Sequence, residues 1–293
     1  MEQKLYDRIL EKVTEADGIL IGASNGLSIA EGYNIFANDE RFYNHFSDFQ
    51  KKYGIKSLIQ GSFFDFPTEN EKWSYYSRMA YYYMYHTKTS SLLQSLYELV
   101  KEKPYFIITS NTDDHFARAG FDRKCIFELE GNMKDMQCSQ GCHNSVYPNR
   151  ELVVSMHEHE CGMEIPTQYI PRCPICGEAM QIHVPVNQFF IRSEEWYMRN
   201  EDYKKFINYY HNKKLLILEL GVGMRNQMIK APFMKLAYSE SDAFYITFNK
   251  GEIYIPKQLK NKALGIDGDL SIILPKLLEK RNKLIMDRTL NDF

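Results

Sequence analysis

Five short apolar runs in this 293-residue chain each stop abruptly at glycine or at polar residues. They are Gly18 to Ile21 before Gly22, Tyr105 to Ile108 before Thr109, Ser110 and Asn111, Cys125 to Leu129 before Glu130 and Gly131, Leu215 to Leu220 before Gly221, and Ala243 to Phe248 before Asn249. Runs of this length without polar alternation read as strands covered on both faces, which is the habit of parallel sheets. Open α/β sheets place ligands at the carboxyl ends of their strands, so the abrupt polar ends are the candidate site.

The stretches between the runs read as helices. Leu5, Ile9, Leu10 and Val13 recur at helical spacing over residues 2 to 15, and 71–86, 90–100 and 270–281 have helical patterns. A further strand is expected near Gly265 and Ile266. Residues 36–66 are aromatic and mixed, with a turn at Asn38, Asp39 and Glu40, and suit either a cover over a cleft or a helical insertion. Strands alternating with helices make the expected fold α/β, a Rossmann-like parallel sheet with helices on both faces.

Gly22 to Tyr33, GASNGLSIAEGY, follows the first strand. A strand, a glycine-bearing turn and a helix can offer amide N–H groups to a pyrophosphate. Alone, such a turn also serves as an ordinary connection.

Lysine and arginine number 36 against 38 aspartates and glutamates, a net charge of −2. Nothing in that balance draws the chain to nucleic acid or an anionic membrane, so a small molecule or a protein is the expected partner. No run approaches the roughly 18 apolar residues of a membrane span, and the first residues lack a signal-peptide core. The expected location is cytoplasmic.

Four of the six cysteines form two close pairs, Cys138 with Cys142 and Cys173 with Cys176. Two such pairs, each on its own turn, are what tetrahedral Zn2+ requires, whereas disulfides do not persist in a reducing compartment. His143, His157 and His159 lie nearby, but four thiolates already fill the shell; Cys125 and Cys161 are left over. The expected organisation is a discontinuous nucleotide-binding domain over 1–132 and 186–293, with a helical insertion at about 36–86, and a small zinc-binding module over 133–185.

Taken in order, these features resemble the sirtuin family. GASNGLS (22–28) with AEG (30–32) resembles its Gly-Ala-Gly turn, TSNTD (109–113) its Gln-Asn-Ile-Asp segment, and ELEG (128–131) its Glu-Leu-His-Gly. The four cysteines, LGVG (220–223) and the strand ending at Asn249 complete a match over roughly residues 5 to 275. GIKSLIQGSFFDF (54–66), QCSQGCH (137–143) and YITFN (245–249) resemble more narrowly the microbial macrodomain-linked branch.

The resemblance implies NAD as the bound nucleotide. It implies Asn111, Asp113 and Glu130 as the catalytic group, and Gly22, Ser24, Asn25, Gly26, Ser28, Gly32, Ser110, Gly221, Val222, Gly223, Asn249 and Lys250 as further nucleotide contacts. It implies transfer of ADP-ribose to an acceptor protein, with a lipoyl-carrier protein as the branch's acceptor and a macrodomain ADP-ribosyl hydrolase as functional partner. Three departures stand out: Glu130 where the family has histidine, Ser24 and Asn25 in the glycine turn, and Pro185 where the branch has arginine.

Glu130 bears on the reaction. A lysine deacylase needs a base near neutrality, which suits imidazole at about 6.5 better than a carboxylate at about 4.3. A glutamate suits a cationic sugar or an incoming nucleophile, unless burial raises it or Lys134 merely pairs with it. The alternatives are an NAD-dependent deacylase and an NAD or ADP-ribose sensing module.

Overall fold

In the computed structural model, which describes residues 2–291, the apolar runs form one six-stranded parallel sheet. In chain order the strands are β1 (Gly18–Ala23), β2 (Tyr105–Thr109), β3 (Ile126–Glu128), β4 (Asn132–Cys138), β5 (Tyr147–Pro148), β6 (Met180–His183), β7 (Leu215–Leu220), β8 (Phe244–Asn249) and β9 (Ala263–Asp267). The large sheet runs β3-β2-β1-β7-β8-β9, and β1 pairs in register with both β2 and β7.

Both faces are covered, which is why the strand sequences do not alternate with polar residues. Ile19, Ile21, Leu216 and Leu218 pack with Ile9, Leu96 and Leu274, which come from the helices Glu2–Glu15, Ser91–Val100 and Leu270–Asn291. Leu20, Phe106 and Ile217 point the other way and meet Phe206, Ile229 and Phe233 of the helices Glu194–Tyr209 and Gln227–Ser239.

A second, three-stranded antiparallel sheet has the order β5-β4-β6. It shares a core with the helices Glu40–Tyr53 and Glu69–Ala80, where Phe46, Trp73 and Tyr75 pack in one cluster with Met156, Met180 and Ile182. Residues 36–66 therefore brace the cysteine-bearing sheet and line a cavity.

Local chemistry moved some boundaries. Asp39 does not sit in a free turn; its side chain caps the helix Glu40–Tyr53 by accepting from Phe42 N, 2.9 Å away. The tyrosine-rich helix changes at Tyr81–Tyr85 into a π-helical turn, closed by His86 N on Tyr81 O. The carbonyls of Tyr83 and Met84 there accept from His115 and Arg118 instead of from their own helix. Cys125 lies in a 3₁₀ turn and β3 starts one residue later.

Candidate functional site

The carboxyl ends of β1 and β2 and the segment after β3 open into one cavity of about 340 Å³. Its polar wall is Asn25, Ser28, Ser110, Asn111, Asp113 and Glu130. The opposite wall is apolar, with Ile35, Leu58, Met79, Val184 and Val186, and exposed Phe36 and Phe63 belong to it too. Six of the residues expected at the nucleotide thus share one crevice.

The remaining expected residues are placed differently. Gly22 lies under the helix Gln227–Ser239, and a Cβ there would sit 2.4 Å from the Phe233 ring. Gly26 donates its N–H to Gly221 O at 3.0 Å, so that amide is taken and its glycine serves close approach. Gly32 forms a turn at φ +92° with open space around it. Gly221, Val222 and Gly223 follow β7, while Asn249 ends β8 and Lys250 comes next, all along the same edge of the sheet but outside the cavity lining. Asn249 Nδ2 donates to Glu252 O, and Lys250 pairs with Asp269 at 3.2 Å.

Asn111 is buried and its side chain is fixed from one end only. Nδ2 donates to Ser24 O at 3.2 Å, while Oδ1 has no partner among the described residues. The Tyr83 hydroxyl, on the cavity's insertion side, is also buried without one. Orphaned polar atoms of this kind are costly unless a polar ligand meets them. The crevice therefore fits a polar ligand such as NAD, with an apolar wall beside it.

Asp113 is held tightly. Oδ2 accepts from Ser28 Oγ at 2.6 Å and Oδ1 from the His115 amide at 3.1 Å. Glu130 stands in contrast: half-buried, it has no hydrogen bond or ion pair among the described residues, and burial alone pushes its carboxyl up from the ordinary value. Lys134 turns to Asp135 at 3.1 Å and Glu128 at 3.6 Å, so it is not the partner of Glu130.

Asn226 is a residue that sequence reasoning missed. Its Nδ2 lies 2.9 Å from Ser24 Oγ and 2.8 Å from Ser110 Oγ, and those hydroxyls are 3.0 Å apart. One amide thereby ties the ends of β1 and β2 to the start of the helix Gln227–Ser239. The only signal in the chain is its place, just after Gly221–Gly223 and just before that helix. His115 and Glu31, behind Asp113, were missed too, since their meeting depends on the packing of distant elements.

The cysteines form a second constellation. Among the described residues, Sγ atoms of Cys138, Cys142, Cys173 and Cys176 all lie within 4.8 Å of one another. Cys138 to Cys176 is 3.6 Å and Cys142 to Cys173 is 3.7 Å. A tetrahedron with zinc–sulfur bonds of about 2.3 Å has edges of about 3.8 Å, so the donors fit Zn2+. Gly141 and Gly177, at φ +58° and +77°, make the turns that bring each pair together. His143 Nδ1 is 3.0 Å from Cys142 Sγ, beside the four thiols rather than in place of one.

Comparison with known proteins gives the same outline. The model of the Sir2 family matches residues 22–190. A protein ADP-ribosyltransferase of Staphylococcus aureus (strain Mu50 / ATCC 700699) is 30% identical over 268 residues, covering 91% of this chain and 84% of its own. A probable bifunctional ADP-ribose hydrolase/ADP-ribosyltransferase of Fusarium oxysporum f. sp. cubense is 28% identical; the match covers 92% of this chain but 47% of the fungal protein. Among solved structures, a Sir2 homologue–NAD complex superposes with a TM-score of 0.63 at 16% identity, covering 95% of this chain and 94% of the other. A Sir2 homologue–ADP-ribose complex gives 0.61 at 15% identity, with 96% and 98% covered.

Proposed function

The chain belongs to the Sir2 family, and from that premise we propose that it splits the nicotinamide–ribose bond of NAD and transfers the ADP-ribose to a protein. The observation that carries this reading is Glu130, a half-buried carboxyl without a partner among the described residues, in the cavity that also holds Asn111 and Asp113. The name of the staphylococcal relative supports the transferase direction.

Breaking this bond builds positive charge on the sugar, much as glycoside hydrolysis does. The C1′–N bond breaks and its electron pair leaves with nicotinamide. The acceptor's nucleophile forms the new bond to C1′, and its proton passes to the Glu130 carboxylate. Asp113, locked by Ser28 and the His115 amide, supplies a fixed negative charge. The free Oδ1 of Asn111 accepts from a donor on the nucleotide or steadies the sugar. Ser24, Asn25, Gly26 and Gly32 shape the turn for the phosphates, and Gly221, Val222, Gly223, Asn249 and Lys250 carry the adenosine half along the rim.

Cys138, Cys142, Cys173 and Cys176 would hold zinc, which crosslinks the small sheet when bound. Their four thiolates fill the shell of a structural ion. The resemblance to the macrodomain-linked branch supports a lipoyl-carrier protein as acceptor. The paired activities in the fungal relative's name support an ADP-ribosyl hydrolase as functional partner. The clustered thiols, which need a reducing environment, support a cytoplasmic site of action.

A deacylase is the second reading, favoured by the upward shift of Glu130 toward the range of a general base. One experiment separates the readings: incubation with labelled NAD and lipoylated carrier protein, alongside acyl-lysine peptides. Label on the carrier with one nicotinamide released per label is the expected result. Nicotinamide without protein label turns the reading to hydrolysis, peptide turnover to a deacylase, and binding without release to a sensing module.

A further inference from the structure

The wall behind Asp113 contains a histidine that the proposed reaction leaves unused. His115 is 6% exposed. Its Nε2 is 3.1 Å from the carbonyl oxygen of Tyr83, and its Nδ1 is 3.1 Å from Glu31 Oε2 and 3.6 Å from Asp113 Oδ2.

A carbonyl oxygen can only accept, so Nε2 bears the hydrogen. A neutral ring would then aim the Nδ1 lone pair at two carboxylates. Those carboxylates already take their other hydrogens elsewhere, Glu31 Oε1 from Ser90 Oγ at 2.6 Å and Asp113 Oδ2 from Ser28 Oγ at 2.6 Å. A second hydrogen, on Nδ1, turns that repulsion into two attractions.

We infer that His115 is a standing imidazolium, clamped between Glu31, Asp113 and the Tyr83 carbonyl, and is the positioning residue that holds Asp113 in the cavity wall. Only the consequence for catalysis rests on the proposed reaction. Burial opposes the charge, but Asp113 and Glu31 outweigh it and push His115 up to about 9. The remaining neighbours do not compete: the Tyr33 ring lies edge-on at 4.8 Å, and Arg41 stacks over the Tyr33 and Tyr83 rings. Glu31, Asp113 and His115 could also surround a divalent cation. Such an ion needs a bare Nδ1, so ion and hydrogen exclude each other.

The test begins with NMR of the full chain labelled with ¹⁵N-histidine. Both ring nitrogens of His115 should be protonated at neutral pH, with the second hydrogen lost only near the alkaline value above, and magnesium or zinc should leave the ring signals unchanged. A neutral Nε2–H tautomer at neutral pH, or a ring signal that shifts with either ion, overturns the inference.

The kinetic arm compares His115→Gln with wild type. In wild type, kcat for nicotinamide release should fall as pH rises through the His115 titration. The variant should lose about 10-fold in kcat with less than about 3-fold change in KM for NAD, and its profile should be flat there. A variant with wild-type kcat and pH profile overturns the positioning role. A wild type that releases no nicotinamide defeats the proposed function instead, and the NMR result alone then decides the protonation state.

Discussion

Gly26 and Gly221 meet backbone to backbone, with Gly26 N–H donating to Gly221 O at 3.0 Å, and this contact joins the turn after β1 to the end of β7. A Cβ on Gly221 would lie 2.3 Å from Leu27 N, and its φ of +62° disfavours any side chain. Gly221→Ala should therefore cost about 2 kcal/mol or more in urea unfolding and raise KM for NAD by pushing Asn25 off the cavity wall. Gly162→Ala, at a site outside the cavity lining with φ +67°, is the control. It shares a positive φ but meets open space, so it should cost only about 1 kcal/mol and leave KM unchanged. Equal effects of the two substitutions would show that the Gly26–Gly221 contact does not shape the site.

Glu130→Gln keeps the shape of the side chain and removes its charge. If Glu130 takes the acceptor's proton, transfer should drop by about 10²-fold or more, while nucleotide affinity measured by calorimetry stays within about 3-fold. The pH dependence follows from the sign of its shift. A carboxyl raised by burial is deprotonated only above the ordinary carboxylate range, so the acid limb of the wild-type rate should lie above that range. The same shift means that the folded state binds more protons than the unfolded one between the two values, so this group lowers stability as pH rises through that window. The variant should be at least as stable as wild type at neutral pH. A variant with full transfer activity would remove Glu130 from the mechanism.

The zinc donors are Cys138 at the end of β4 and three cysteines in the turns beside it, on a sheet that shares its core with the insertion helices, and those helices supply Met79 and Tyr83 to the cavity. Metal loss should therefore be felt at the nucleotide site. Metal analysis of the purified chain should find one zinc per chain, and Cys173→Ser or strong chelation should release it. The expected companion effect is a weaker affinity for NAD together with earlier thermal unfolding of the segment that carries β4, β5 and β6. Zinc loss that leaves nucleotide affinity untouched would mean the two regions are energetically independent.

The strands of the large sheet were legible because burial on both faces leaves a simple trace, a run without regular polar alternation such as Leu215–Leu220, and a glycine or polar residue where the run ends; β4, β5 and β6 left no such trace. The polar ends at Asn111 and Glu130 were marked for the same reason, since each follows a strand closely, whereas Asp113 was marked only by the family resemblance; all three line one cavity. The cysteine pairs were legible because metal geometry needs short spacing. What spacing cannot encode is a meeting of residues far apart in the chain. Ser24, Ser110 and Asn226 form one hydrogen-bonded triangle from three separate segments, and no local pattern marks Asn226 for it. The π-helical turn at Tyr81–Tyr85 was hidden likewise, because the donors that take its carbonyls, His115 and Arg118, lie some thirty residues on.

Lys230 offers the last test, since it anchors the helix that begins just after Asn226. Its Nζ binds Glu219 Oε1, which also accepts from Thr247 Oγ1 at 2.8 Å, and all three residues are essentially inaccessible to water. A buried pair contributes little over an apolar pair of the same volume, yet removing one partner strands the other charge. Lys230→Met should therefore destabilise the fold by about 3–5 kcal/mol, while adding Glu219→Gln should recover most of that loss. Lys230 N donates to Asn226 O at 3.2 Å, in the first turn of the same helix. Loosening it should slacken the Asn226 grip on Ser24 and Ser110 and raise KM for NAD before the chain unfolds. Denaturant titrations of the single and double variants measure the first effect, and nicotinamide-release kinetics well below the unfolding midpoint measure the second. A single variant with wild-type stability would mean that the Lys230–Glu219 contact does not anchor the helix, which would then be held by the packing of Ile229 and Phe233.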